Sequence, residues 1–134
     1  MKFCSGLARV ACVAAAAGWG AAQAQEIQFP FDSELILDAA PMRGSKRIPN
    51  LDVAANGAIA LEMWCNRIEG QIVVAGDTVT VLTGQQTTRP CTTEQSRGDE
   101  ELLATLTQVT NWRREGSVLV LIGPQTLRFR IPTN

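Results

Sequence analysis

Between positions 71 and 82 the chain reads Gln-Ile-Val-Val-Ala, Gly-Asp, Thr-Val-Thr-Val-Leu. Gly76-Asp77 suits a two-residue turn, where glycine supplies the backbone angles that join antiparallel strands. A two-residue loop pairs Ala75 with Thr78, Val74 with Val79 and Ile72 with Val81. Side chains alternate along a strand. Ile72, Val74, Val79 and Val81 therefore share one face, while Thr78 and Thr80 take the other. Turn chemistry and pattern agree, so the chain is committed to antiparallel sheet.

Further strands follow the same rule. Asn56-Gly57 marks a tight turn into residues 58–64, where Ile59, Leu61, Met63 and Cys65 fall on one face. Ala60, Glu62 and Trp64 fall on the other. Residues 34–38 read as a strand, and residues 41–50, rich in Pro, Gly and charge, as a loop. Near the C-terminal end, 117–122 and 125–131 read as two strands punctuated by Glu115-Gly116 and Gly123-Pro124. The run from Val118 to Ile122 is apolar on both faces, as a central strand is. Leu127 and Phe129 alternate with Arg128 and Arg130, as in a half-exposed one.

Residues 92–110 carry the one helix expected beyond the N-terminal leader. Leu102, Leu103, Leu106 and Val109 lie on one side, Thr93 or Ser96 caps the start, and Glu94, Asp99, Glu100 and Glu101 enrich its first half in negative charge. Gly98 lowers the helical propensity of the first turns by about 1 kcal/mol relative to Ala. One helix with one apolar stripe must cover a face or fill a mouth of a curved antiparallel sheet. The expected class is α+β: a curved antiparallel sheet or open β-barrel packed against a single helix.

The first 24 residues stand apart from this pattern. Lys2 and Arg9 precede an apolar run, and Ala22-Gln23-Ala24 places small residues at a cleavage site, as in a secretory signal peptide. The expectation is cleavage after Ala24, a periplasmic or secreted domain over 25–134, and no transmembrane span. Cys12 has Arg9 three positions before it, which argues against lipidation. Loss of Lys2 and Arg9 takes the net charge from −1 to −3. That balance gives no electrostatic footprint for nucleic acid.

Two cysteines remain, Cys65 and Cys91. In an oxidising compartment they have one intramolecular pairing, and two buried free thiols are the alternative. They lack the Cys-x-x-Cys spacing of exchange chemistry. The chain holds 0 His, which removes Ser-His-Asp and Cys-His catalysis and His-ligated metals.

The remaining candidates each have a bland reading. The Asp99-Glu100-Glu101 run offers carboxylates, but a solvated helix start explains it. It also lacks the alternating oxygen ligands of a cation loop. Arg113, Arg114, Arg128 and Arg130 make basic spots that could meet anionic lipid, or protect an edge strand. Gly84-Gln85-Gln86 lacks the Gly-Lys-Ser/Thr of a phosphate loop. Asn66 and Arg67 form a candidate binding corner, although Asn suits left-handed turns and Arg exposed ion pairs.

Met63-Trp64-Cys65-Asn66-Arg67-Ile68-Glu69-Gly70 resembles the Cys-Asn-x-aromatic/aliphatic-x-Gly signature of the META domain, also called the HslJ-like family. Thr87-Thr88-Arg89-Pro90-Cys91 is similar to that family's second block, a Thr-rich strand leading to a Cys before the helix. The helix, Trp112 and the final hairpin continue the order, so the resemblance covers about residues 57–130. The second block is one residue shorter than usual. The family's opening Trp-containing strand is replaced by a segment with Phe29 and Phe31.

The resemblance implies a small bacterial envelope protein with a stress-related role and no reaction or cofactor common to the family. It makes Asn66, Arg67 and Arg89 motif residues, structural first and a binding corner second. Relatives have been compared with cracked-barrel pilotins, whose groove takes lipid or a partner segment. The first expectation is thus a monomeric, non-catalytic binding module whose partner is an envelope protein or lipid. The alternative is a pilotin-like accessory with an apolar cavity between sheet and helix, lined by Leu103, Leu106 and Val120.

Overall fold

A computed structural model describes residues 27–133 and Gly18. The leader and its cleavage site lie outside the described residues. Eight strands and one helix follow in order: β1 Ser33–Leu37, β2 Asn50–Val53, β3 Ala58–Glu62, β4 Arg67–Ala75, β5 Thr78–Gln86, α1 Thr93–Thr107, β6 Asn111–Glu115, β7 Val118–Ile122 and β8 Leu127–Arg130. Every strand pairs antiparallel with the next, and β8 returns to β1 through Ile36 opposite Arg130 and Leu37 opposite Phe129. The sheet therefore closes into a barrel, with one helix among the described residues.

The central hairpin has the register read from its sequence: Ala75 opposite Thr78, Val74 opposite Val79, Ile72 opposite Val81. Gly76 takes the positive φ of 60° that the turn requires. The ladder slips between Ile68 and Gly70. At that bulge a Cβ on residue 70 would lie against the Leu82 carbonyl, so glycine is required by close backbone approach.

Two strands were not foreseen. β2 falls at the end of the stretch read as loop and carries only Leu51 and Val53 as buried residues. β6 lies between the helix expected over 92–110 and the turn expected at Glu115-Gly116, and its Asn111-Trp-Arg-Arg-Glu115 is too polar to signal a strand by itself. Each exists because its neighbours need a pairing partner, a tertiary demand that local pattern does not carry.

The barrel is weakest between β5 and β6, whose ladder holds one pair, Thr78 opposite Asn111. Val79 N–H to Thr110 O and Trp112 N–H to Asp77 O, both 2.9 Å, complete the joint. α1 connects these two strands and packs against β5. Its Leu102 and Leu106 join Leu35, Leu51, Leu61, Met63, Leu119, Leu121 and Phe129 in one core. Each such side chain contributes roughly 1.5–3 kcal/mol by leaving water.

The helix starts one residue earlier than its expected caps. Thr92 Oγ1 accepts the Gln95 N–H at 3.2 Å, and Gln95 Oε1 accepts the Thr92 N–H at 3.1 Å, a reciprocal capping box. Neither Thr93 nor Ser96 caps it. The helix ends at Thr107, and residues 108–110 lead into β6. Among the described residues no helix is long and apolar enough to cross a membrane.

Candidate functional site

Where β3 turns into β4, two backbone N–H groups point away from the sheet and meet Asp99 of α1. Asp99 is 3% exposed. Its Oδ1 accepts the Cys65 N–H at 3.1 Å and its Oδ2 the Asn66 N–H at 2.8 Å. Bonds to an ionised acceptor are the strong kind. They offset the cost of burying the carboxylate. The expectation of a solvated 99–101 run is therefore corrected: Glu100 and Glu101 are exposed, whereas Asp99 is a structural acceptor. Two orphan N–H groups in the Cys-Asn turn create the demand, and only the folded chain shows which carboxylate meets it.

Asn66 is equally committed. Its Oδ1 accepts the Arg89 N–H at 2.8 Å and the Thr87 hydroxyl at 3.1 Å, and its Nδ2 reaches Cys91 Sγ at 3.4 Å. Arg67 N–H donates to Thr87 Oγ1 at 2.9 Å. Cys65 and Cys91 are joined by a disulfide with Cα atoms 6.0 Å apart. The segment between β5 and α1 is thus fastened to the β3–β4 turn by one covalent bond and several side-chain bonds. It is irregular, since β5 ends at Gln86, so the expected strand running up to Cys91 stops short. Cys65 Sγ, Cys91 Sγ and an Asp99 oxygen lie within 4.8 Å of one another. With the sulfurs bonded together and both Asp99 oxygens taken, this trio is a staple.

Gly98 belongs to the same corner. A Cβ there would meet Trp64 Cδ1 at 2.7 Å and the Met42 methyl. The glycine lets α1 lie against Trp64 and the loop before β2. Its cost in helix propensity is offset by this close approach.

Outside the staple, three guanidinium groups converge on Glu62, the last residue of β3. Arg47 Nη2 lies 2.7 Å and Arg89 Nη1 3.5 Å from Oε2, and Arg67 Nη1 lies 3.4 Å from Oε1. Arg67 also reaches Glu69 at 3.4 Å. Arg89 Nη1 donates to the Cys65 carbonyl at 3.2 Å. Arg67 is the direct cross-strand partner of Glu62, while Arg47 and Arg89 arrive from loops. Arg47 and Glu62 carry no motif that would have paired them in advance.

At another part of the barrel, Ile27, Gln28, Gly76, Asp77, Trp112 and Arg113 line an open groove of about 470 Å³. Trp112 donates its indole N–H to the Gly76 carbonyl at 2.8 Å and meets Phe29 edge-on at 5.2 Å between ring centroids. Phe29 and Phe31 precede β1 without forming a strand, so they replace the expected opening strand by packing alone.

The basic residues of the last strands are partly neutralised in place. Arg113 Nε lies 2.8 Å and Arg128 Nη1 3.2 Å from the two oxygens of Glu115. These hydrogen bonds, Arg113's foremost, hold the Glu115 carboxyl below the ordinary glutamate range. Edge protection does not explain Arg128 and Arg130, because β8 pairs with both β7 and β1. Arg113 and Arg114 stand on β6 beyond its one ladder pair with β5, where that role is open to them.

The pattern of the META domain matches residues 25–131. The chain belongs to the META domain family. No curated protein matches it. Among solved structures, the META barrel is similar to an NMR structure of a protein from Burkholderia xenovorans, with a TM-score of 0.60 and 18% identity. That match covers 78% of this chain and 84% of the other. A crystal structure of a DUF4847 family protein from Bacteroides vulgatus matches with a TM-score of 0.50 and 21% identity over 61% of this chain and 57% of that one. Both likenesses concern the fold.

In this META domain the two sequence blocks meet at the staple. Asn66 is held inside it by two bonds to Oδ1 and one from Nδ2, while the Arg67 and Arg89 side chains lean out to Glu62. The expected cavity between sheet and helix has a different outcome. Leu103 borders a small pocket of about 140 Å³ between Gln86 of β5 and Ser96, Asp99 and Glu100 of α1, whereas Leu106 and Val120 have no accessible surface and line no water-sized space. Leu119 and Leu121 enter the core and Val120 faces the other way, opposite Arg113 and Arg128 in the ladder.

Proposed function

We propose that this META domain is an exported envelope module that works by binding rather than by catalysis, with Cys65–Cys91 fastening the β3–β4 turn to the segment before α1. The stapled corner carries the reading. A disulfide of this kind persists in oxidising compartments. It agrees with the leader read in residues 1–24 and with mature residues 25–134. The polar groups of Asn66 and Asp99 are spent on holding the chain, so the corner suits a rigid display surface. Mass spectrometry of the protein recovered from the periplasm without reduction should show a chain beginning at Gln25 with one Cys65–Cys91 link. Intact leader on a cytoplasmic protein with two free thiols would overturn the reading. Sedimentation of the same material is expected to show a monomer.

The groove at Trp112 favours a second, pilotin-like reading, in which lipid or an apolar partner segment lies against Ile27 and the indole. An aromatic ring with a polar edge suits a half-wet, half-apolar site. Fluorotryptophan labelling separates Trp112 from Trp64. A shift of the Trp112 resonance on adding phospholipid vesicles supports this reading, and an unmoved resonance removes it.

A further inference from the structure

We infer that Arg47, Arg67 and Arg89 form a site for a phosphate-type oxyanion, with Glu62 holding the three guanidinium groups in place while the site is empty. The inference deepens the binding reading above by naming a ligand class, and its assay can fail while the export and disulfide tests succeed.

The argument begins with oxygen atoms. Three guanidinium groups share the two oxygens of Glu62, and Oε2 serves both Arg47 and Arg89. One of the three contacts is short, 2.7 Å, while the others are 3.4 and 3.5 Å. A guanidinium carries five N–H donors in a planar fork, so among the described residues most donors here have no hydrogen-bond acceptor. A carboxylate is a poor match for three forks arriving from separate elements. A tetrahedral phosphate offers one oxygen to each and suits the bidentate geometry of arginine.

Charge points the same way. Among the described residues Glu69 is the one further carboxylate in contact, so there three positive groups face two negative ones. The whole chain is net negative, −1. The cluster is also open, with arginine side chains 39–43% exposed against 21% for Glu62. The anchors are stiff. Arg67 begins a strand, and the Arg89 backbone is held by Asn66 Oδ1 at 2.8 Å beside the disulfide. The fastening at the motif corner thereby fixes the spacing of two of the three donors.

Glu62 decides the test, because a structural ion-pair network and an anion site respond to its removal in opposite senses. The probes are inorganic phosphate at ionic strength matched with chloride, and vesicles of phosphatidylglycerol against phosphatidylcholine. The readout is the side-chain Nε–H resonances of Arg47, Arg67 and Arg89. Saturable shifts with phosphate are expected in the native domain. Glu62→Gln should tighten phosphate about fivefold by removing the competing charge. Arg47→Gln with Arg89→Gln should weaken it at least about tenfold. Arg47→Gln alone, in a loop, serves if another variant does not fold. Vesicle binding lost in the arginine variant identifies a lipid headgroup as the phosphate source, and phosphate binding without vesicle binding identifies a soluble one. Absence of saturable shifts in both native and Glu62→Gln proteins, or shifts unchanged in the arginine variant, overturns the site.

Discussion

The backbone N–H of Asn66 lies 2.8 Å from Asp99 Oδ2, a bond that spans 33 positions of sequence and ties the β3–β4 turn to the helix. With its companion from Cys65 it makes Asp99 the point at which helix and barrel are locked together. Asp99→Ala leaves two buried N–H groups unpaired and should lower stability by about 2–4 kcal/mol. Asp99→Asn keeps one acceptor oxygen and should cost roughly half as much. Urea unfolding of the two variants checks the order. Equal, small losses would mean that the corner does not depend on this carboxylate.

Replacing Cys65 and Cys91 together by Ser should lower stability by about 3–4 kcal/mol, the entropy of closing a loop of this length in the unfolded chain. Thermal unfolding with and without reductant measures it. The native protein should lose the same increment on reduction, and the double variant none.

Gly98→Ala sets two effects against each other. Alanine improves helix propensity by about 1 kcal/mol. The added methyl, however, meets the Trp64 ring, which cannot move aside as the Met42 methyl can. Overpacking costs about 1–3 kcal/mol, so a net loss of roughly 1 kcal/mol is expected. Altered Trp64 fluorescence should accompany it. A gain in stability would show that the corner has slack.

Glu115 should titrate below an ordinary glutamate, because hydrogen bonds from Arg113 and then Arg128 favour its charged form. A depressed folded pKa contributes stability above the unfolded value, and that contribution is lost as pH falls through the folded value. Carboxyl-carbon NMR of Glu115 gives the midpoint. Arg113→Gln should raise it more than Arg128→Gln does. The group is exposed, so any accompanying change in stability should be slight and salt-sensitive.

The hairpin around Gly76-Asp77 was legible to the residue, because turn type and period-two pattern are local and reinforce each other. The alternation of Ile59, Leu61, Met63 and Cys65, the helix, and Phe129 between two arginines were legible for the same reason. The family was legible too, since its two blocks are contiguous in sequence. β2 and β6 were not: four or five residues, largely polar, become strands because β1, β3 and β7 present open backbone groups beside them.

The candidate site divides along the same line. Cys65 and Cys91 could be paired by counting, and Asn66, Arg67 and Arg89 by motif. The burial of Asp99, the close approach at Gly98 and the meeting of Arg47 with Glu62 each join residues from distant parts of the chain. No local pattern records such meetings, because their energy comes from orphan donors, excluded volume and converging charge that exist only when the barrel closes. Local alternation and turn chemistry were enough to specify antiparallel strands and one apolar helix face. Closure of the barrel, and the choice of which carboxylate is buried and which arginines share a partner, were decided by tertiary packing, where buried donors and acceptors must be matched across distant parts of the chain.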